Sequence, residues 1–164
     1  MKFRLNFIAL SIILLASCET KNKNVVKHND SNTTPVENSK HLLLNTFKNI
    51  PKEIDGCSCL FSETDQKFKN REYLFAAGFD STAYIVINEK LSKFKLITSG
   101  REPNTFGDHD HVDIYQNDQF TLTVDMKYKR SSGDEVWQNE GIIILESKVG
   151  KLKTTTKFVG ECGC

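Results

Sequence analysis

Long apolar runs are scarce in this 164-residue chain. The one that stands out, Phe7 to Ala16, is broken by Ser11 and falls short of the about 20 residues that a membrane-spanning helix needs. Net charge is missing too. The 22 basic residues face 21 acidic ones, so the electrostatic footprint of a nucleic-acid binder is absent. There is no Cys-x-x-Cys redox pair, no Gly-x-Ser-x-Gly elbow and no glycine loop to cradle a phosphate. Thiol exchange, serine hydrolysis and nucleotide binding therefore lack their usual signatures. Tryptophan occurs once, at Trp137, where it reads as a core anchor rather than a ligand platform. No internal repeat and no second domain is visible.

What the chain does have begins at its N-terminus. Lys2 and Arg4 form a basic start, the apolar run follows, and the small residues Ala16 and Ser17 precede Cys18. This is a secretory signal pattern. Leu15-Ala16-Ser17-Cys18 resembles the lipobox of bacterial lipoproteins. That resemblance implies removal of residues 1–17 and a diacylglycerol thioether on Cys18, with a further acyl chain on the new amino group. Several chains on one residue anchor stably, since each buried CH₂ contributes about 0.8 kcal/mol. In such proteins an Asp after the cysteine marks inner-membrane retention. Glu19 stands here, so the resemblance points to the outer membrane, facing the periplasm.

Removing residues 1–17 leaves 147 residues, with 20 basic and 21 acidic. That length suits one domain, which buries roughly 68–70% of its unfolded surface. Residues 18–40 hold the lipidated cysteine and a polar stretch without apolar period. It reads as a flexible tether with a reach of about 25 Å.

Residues 41–164 read as a single all-β domain, an antiparallel sandwich or barrel of several short strands. Phe120 to Tyr128 is the clearest segment. Its apolar residues alternate with Thr121, Thr123, Asp125 and Lys127, so one face is buried and the other wet. Further strands are expected over 57–62, 73–79, 82–87, 91–98, 112–115, 136–138, 141–146 and 152–159. Asn88-Glu89-Lys90 and Ser131 to Asp134 read as turns. Leu43, Phe47 and Ile50, with Ser39 as cap and Pro51 as stop, suggest a short N-terminal helix. Leu42-Leu43-Leu44 reads equally well as a strand.

Four cysteines remain after Cys18. Cys57-Ser58-Cys59 opens the β domain and Cys162-Gly163-Cys164 closes it. Residues two apart in a strand point to one side, so each pair presents two sulfurs together. In an oxidising compartment this reads as two disulfides between the chain ends. Antiparallel end strands would give 57–164 and 59–162; parallel ones would give 57–162 and 59–164. The rival reading is a four-thiolate Zn or Cu site, against which stands the usual C-x₂₋₄-C spacing of structural zinc sites. The paired C-x-C ends also resemble those of small bacterial lipoproteins, which supplies no activity.

Asp108-His109-Asp110-His111-Val112-Asp113 is the other conspicuous stretch. If extended, His109, His111 and Asp113 share a face and could hold Zn or Cu with an open position. The run partly resembles that of metallo-β-lactamase-like enzymes, but Ile114 stands where that family has a histidine. The plainer reading is a solvated loop entering a strand.

The function class these features favour is a membrane-anchored envelope lipoprotein with a small non-catalytic binding or structural domain, protein-binding or inhibitor-like. Its partner would be an envelope protein or a glycan, and no cofactor is required. The alternative is a metal-binding envelope protein using His109, His111 and Asp113 or the four cysteines. A hydrolytic metalloenzyme at the same histidines ranks third.

Overall fold

A computed structural model describes residues 41–101 and 109–164. The Leu15–Cys18 motif, the stretch up to Lys40 and Asp108 lie outside the described residues. The elements in chain order are β1 (Leu44–Asn45), β2 (Ser58–Ser62), α1 (Asp65–Lys69), β3 (Phe75–Gly78), β4 (Thr82–Ile87), β5 (Lys90–Ser99), β6 (His111–Gln116), β7 (Phe120–Gly133), β8 (Val136–Ser147) and β9 (Lys153–Gly163). From β2 onward each strand pairs antiparallel with the next, and β9 returns to pair antiparallel with β2. The sheet closes on itself as an eight-stranded up-and-down barrel. β1 lies outside the closure and pairs with the end of β4, where Leu44 faces Ile87 and Asn45 faces Val86.

Eight strands enclose a space that side chains can just fill. Period-two alternation sends one set of residues inward: Leu122, Val124 and Met126 from β7, Ile143 and Leu145 from β8, Phe158 from β9 and Phe61 from β2 are all buried. Phe61 stacks on Phe158 with ring centroids 4.2 Å apart and on Phe75 at 5.3 Å. Room for these rings comes from a glycine. Gly160 sits opposite Phe61 in register, and a Cβ there would lie 2.1 Å from the Leu60 carbonyl oxygen and 2.8 Å from Phe61 Cδ1.

The hairpins follow their turn chemistry. Asn88 and Glu89 both have positive φ, +47° and +68°, as a two-residue type I′ turn between β4 and β5 requires. The Asn117 side chain accepts from the backbone N–H groups of Gln119 and Phe120 at 2.9 Å each, closing the β6–β7 turn.

Three expectations change. The suggested helix through Leu43, Phe47 and Ile50 is not formed. Leu44 and Asn45 instead occupy the edge of β4 that β3 leaves open, and Phe47 bridges Tyr73. This is the strand alternative for Leu42–Leu44. The helix that does form, α1, was not anticipated; Thr64 caps it by accepting from the Lys67 N–H at 3.2 Å. Finally, β7 runs past Tyr128 through the expected turn to Gly133, and residues 136–138 and 141–146 join as one strand. Irregularities in the β7–β8 pairing between Tyr128 and Arg130 and between Ser131 and Gly133 break the alternation there, which hides the strand from a period-two reading.

Candidate functional site

Strand starts and ends place the chemistry-bearing residues at one end of the barrel. β2 and β6 begin there, and β5 and β9 end there. Cys59 and Cys162 are register partners in the antiparallel β2–β9 pair. The bridges are Cys57–Cys164 and Cys59–Cys162, the antiparallel option. All four sulfurs are used, so no thiolate is left for a metal, and the four-cysteine metal site is excluded.

β6 sends His111, Asp113 and Tyr115 inward, each buried among the apolar core residues. Asp113, 2% exposed, accepts from the Ser99 hydroxyl at 2.6 Å on Oδ1 and from the Tyr115 hydroxyl at 3.4 Å on Oδ2. Ser99 is the cross-strand partner of Asp113 on β5. Its hydroxyl also accepts from the Arg101 N–H at 3.2 Å, while the Arg101 guanidinium lies over the Phe79 ring at 5.3 Å. Burial pushes the Tyr115 phenol well above its ordinary range; the Asp113 charge adds to the rise and Arg101 opposes it.

His111 and Asp113 do come together, but His109 does not join them. His109 is exposed and precedes the strand, which starts at His111, so the alternation that aligns the other two does not reach it. His109 supplies its backbone oxygen instead, 2.9 Å from His111 Nδ1. A carbonyl oxygen only accepts, so Nδ1 donates in this contact, which leaves Nε2 as the other polar atom of the ring. That Nε2 is buried without a hydrogen-bond partner, 3.9 Å from Asp113 Oδ2. Among the described residues no group of three or more His, Cys, Asp or Glu is arranged to hold a metal ion. The Zn or Cu set of His109, His111 and Asp113, the alternative reading of this stretch, is therefore not assembled among the described residues.

Beside this cluster lies a cavity of about 70 Å³ whose lining includes Asp113, Tyr115, Ser99, Arg101, Ala77 and Leu96. Sequence reasoning missed Tyr115, although it continues the alternation of His111 and Asp113. Ser99 and Arg101 carry no sequence signal, because only the β5–β6 register brings them here.

A second feature lies on the outer wall. A groove of about 640 Å³ separates α1 from β7, β8 and β9. Arg130, Gln138 and Glu161 are register neighbours across its three strands. Arg130 Nε donates to Gln138 at 2.8 Å, and Gln138 Nε2 donates to Glu161 at 3.2 Å. Lys129 pairs with Glu140 at 3.0 Å. Phe68 and Val159 give the groove an apolar side. Lys127 is exposed, as the alternation implied, and so is Lys129. Asp125, then Asp110, raises the Lys127 ammonium above its ordinary range.

No protein-family model, no curated protein and no solved structure matches the chain.

Proposed function

We propose that this protein is a lipid-anchored envelope lipoprotein whose barrel is a non-catalytic module that binds a protein partner on its outer wall. The anchor rests on Leu15-Ala16-Ser17-Cys18 and the basic and apolar segments before it. The binding reading rests on one observation, the filled interior. A barrel core occupied by Phe61, Phe75, Phe94 and Phe158 leaves the wall as the place for a large partner. The groove beside α1 offers such a place. Its charges of both signs are held in register by mutual pairing, which orients a partner more than it adds affinity.

Two measurements test the two halves. Metabolic labelling with a palmitate analogue should mark the wild type and leave Cys18→Ser unlabelled; label persisting on the variant removes the anchor. Cross-linking in intact envelopes should yield a partner adduct through Lys69, which lines the groove. Reversal of the wall charges in Lys129→Glu/Arg130→Glu should abolish that adduct while leaving acylation intact. An adduct that survives the reversal refutes binding at the groove.

A further inference from the structure

Alternating strand directions sort the connections of the barrel into two ends. The disulfides, the β3–β4 connection and the β7–β8 turn lie at one. The α1 segment and the β4–β5, β6–β7 and β8–β9 turns lie at the other. The chain enters the barrel at this second end. The Leu43 N–H donates to Asn88 Oδ1 at 3.0 Å, and the Leu43 carbonyl accepts from the Asn88 N–H at 3.0 Å. Leu43 is thereby tied to the β4–β5 turn, and the domain is joined there to the segment that carries Cys18.

Large aliphatic side chains stand in water at this entry end: Val149 at 83% exposure, Leu43 at 60% and Leu91 at 48%. Val149 sits at the β8–β9 tip, where Ser147 Oγ accepts from its N–H at 3.2 Å and donates to its carbonyl at 2.6 Å. The Lys148 N–H donates to the Gln119 carbonyl at 2.8 Å and fixes this tip to the β6–β7 turn. Lys148 and Lys151 flank Val149, with no acidic residue from Lys148 to Lys153. Lys90 offsets Glu89 at the β4–β5 turn, and Asp118 is the acid of the β6–β7 turn. An apolar tip between lysines suits a bilayer interface, where the side chain enters the headgroup layer and the ammonium groups stay at the anionic surface. Exposure alone does not choose the end, because Ile97 and Val112 are exposed toward the disulfides. The point of chain entry does. A tether of about 22 residues has an r.m.s. reach of about 25 Å, so the entry end is the one delivered to the surface that holds Cys18.

We infer that the entry end of the barrel docks on an anionic lipid surface, with Val149, Leu43 and Leu91 among the headgroups and Lys148 and Lys151 on the lipid phosphates. This rests on the lipid anchor at Cys18. The barrel then stands with its disulfides away from the membrane, and the groove on its outer wall stays open to a partner.

The test uses the full lipidated chain in vesicles of phosphatidylethanolamine and phosphatidylglycerol, part of the lipid being brominated high on the acyl chain. Intact mass reads acylation first, separately from docking. Tryptophan fluorescence then reads contact. Wild-type Trp137, the cross-strand partner of Cys162 at the disulfide end, should keep its emission. Val149→Trp and Leu43→Trp, each combined with Trp137→Phe, should shift to the blue and be quenched. Should Trp137→Phe fail to fold, the same probes are read against the wild-type signal. Adding Lys148→Glu/Lys151→Glu to the Val149→Trp chain should abolish its quenching. An acylated chain whose Val149→Trp probe stays unquenched overturns the docking and leaves the anchor standing. Quenching of Leu43→Trp alone shows a tether near the membrane without docking, and equal quenching of Trp137 shows no preferred end; either overturns the proposal. Quenching that survives the charge reversal refutes the anionic surface. An unacylated chain removes the anchor and the docking together.

Discussion

Removing the two disulfides one at a time and then together should give strongly non-additive losses. Cys57–Cys164 and Cys59–Cys162 close loops with sequence separations of 107 and 103. In the chain-entropy model one such closure contributes about 4.7 kcal/mol. Once either bridge exists, the other closes only a ring of roughly six residues, worth about 2 kcal/mol by the same expression. Each single-bridge variant, Cys57→Ser/Cys164→Ser or Cys59→Ala/Cys162→Ala, should therefore lose only about 2 kcal/mol. The inner pair should lose somewhat more, because Cys59 and Cys162 are 4% and 1% exposed and their truncation leaves a cavity. The fourfold variant should lose about 7 kcal/mol, roughly 3 more than the sum of the pairs. That falls in the lower part of the 5–15 kcal/mol total stability typical of a domain. Equilibrium urea unfolding of the three variants supplies the numbers. The slope m should rise in the fourfold variant alone, since only there does the denatured chain lose its large ring. A fourfold loss no greater than the sum of the pairs, or a single-pair loss of the full amount, refutes the reasoning.

Gly160→Ala should cost about 3 kcal/mol or more, since the added Cβ would lie 2.1 Å from the Leu60 oxygen and 2.9 Å from Phe61 Cα; thermal unfolding checks it, and a near-neutral result would mean that β2 and β9 part easily there. Tyr115 has its pKa raised in the folded state. Its contribution to stability is complete below the unfolded value near 10 and declines above it, by up to about 1.4 kcal/mol per pH unit. The gap between wild type and Tyr115→Phe should narrow accordingly in urea melts taken from pH 9 upward, and a constant gap would contradict the burial argument. Zn(II) titrated into the full chain should show no sub-micromolar site; such a site, lost in His109→Ala/His111→Ala, would restore the metal reading.

Much of the barrel was legible because buried and wetter residues alternate along strands such as β6 and the first part of β7. Phe120 to Tyr128 announced β7, and Leu122, Val124 and Met126 are its core residues. The choice between sandwich and barrel depends on whether β2 meets β9, a contact more than 100 residues apart in sequence. The two C-x-C pairs carried that information, since staples between the ends need neighbouring end strands. The far part of β7 was hidden because its bulges break the period. α1 was missed because five residues are too short for a helical stripe, leaving Thr64 as the sole cue. At the site, the parity of His111 and Asp113 was readable. The position of His109 was not, because strand parity holds only after the strand has begun.

The closure between β2 and β9 also sets an order of events during folding. The other strand pairs of the barrel join neighbours in the chain, so their loops close quickly. The β7–β8 hairpin, with the longest ladder and a short turn, is the natural first structure. β2 can meet β9 only after the whole meander has curled round. Cys57 and Cys164 are brought together by that last step, as are Cys59 and Cys162. Oxidation therefore seals a barrel that has already found its register, and an oxidant acting earlier meets cysteines whose nearest neighbours are the wrong ones.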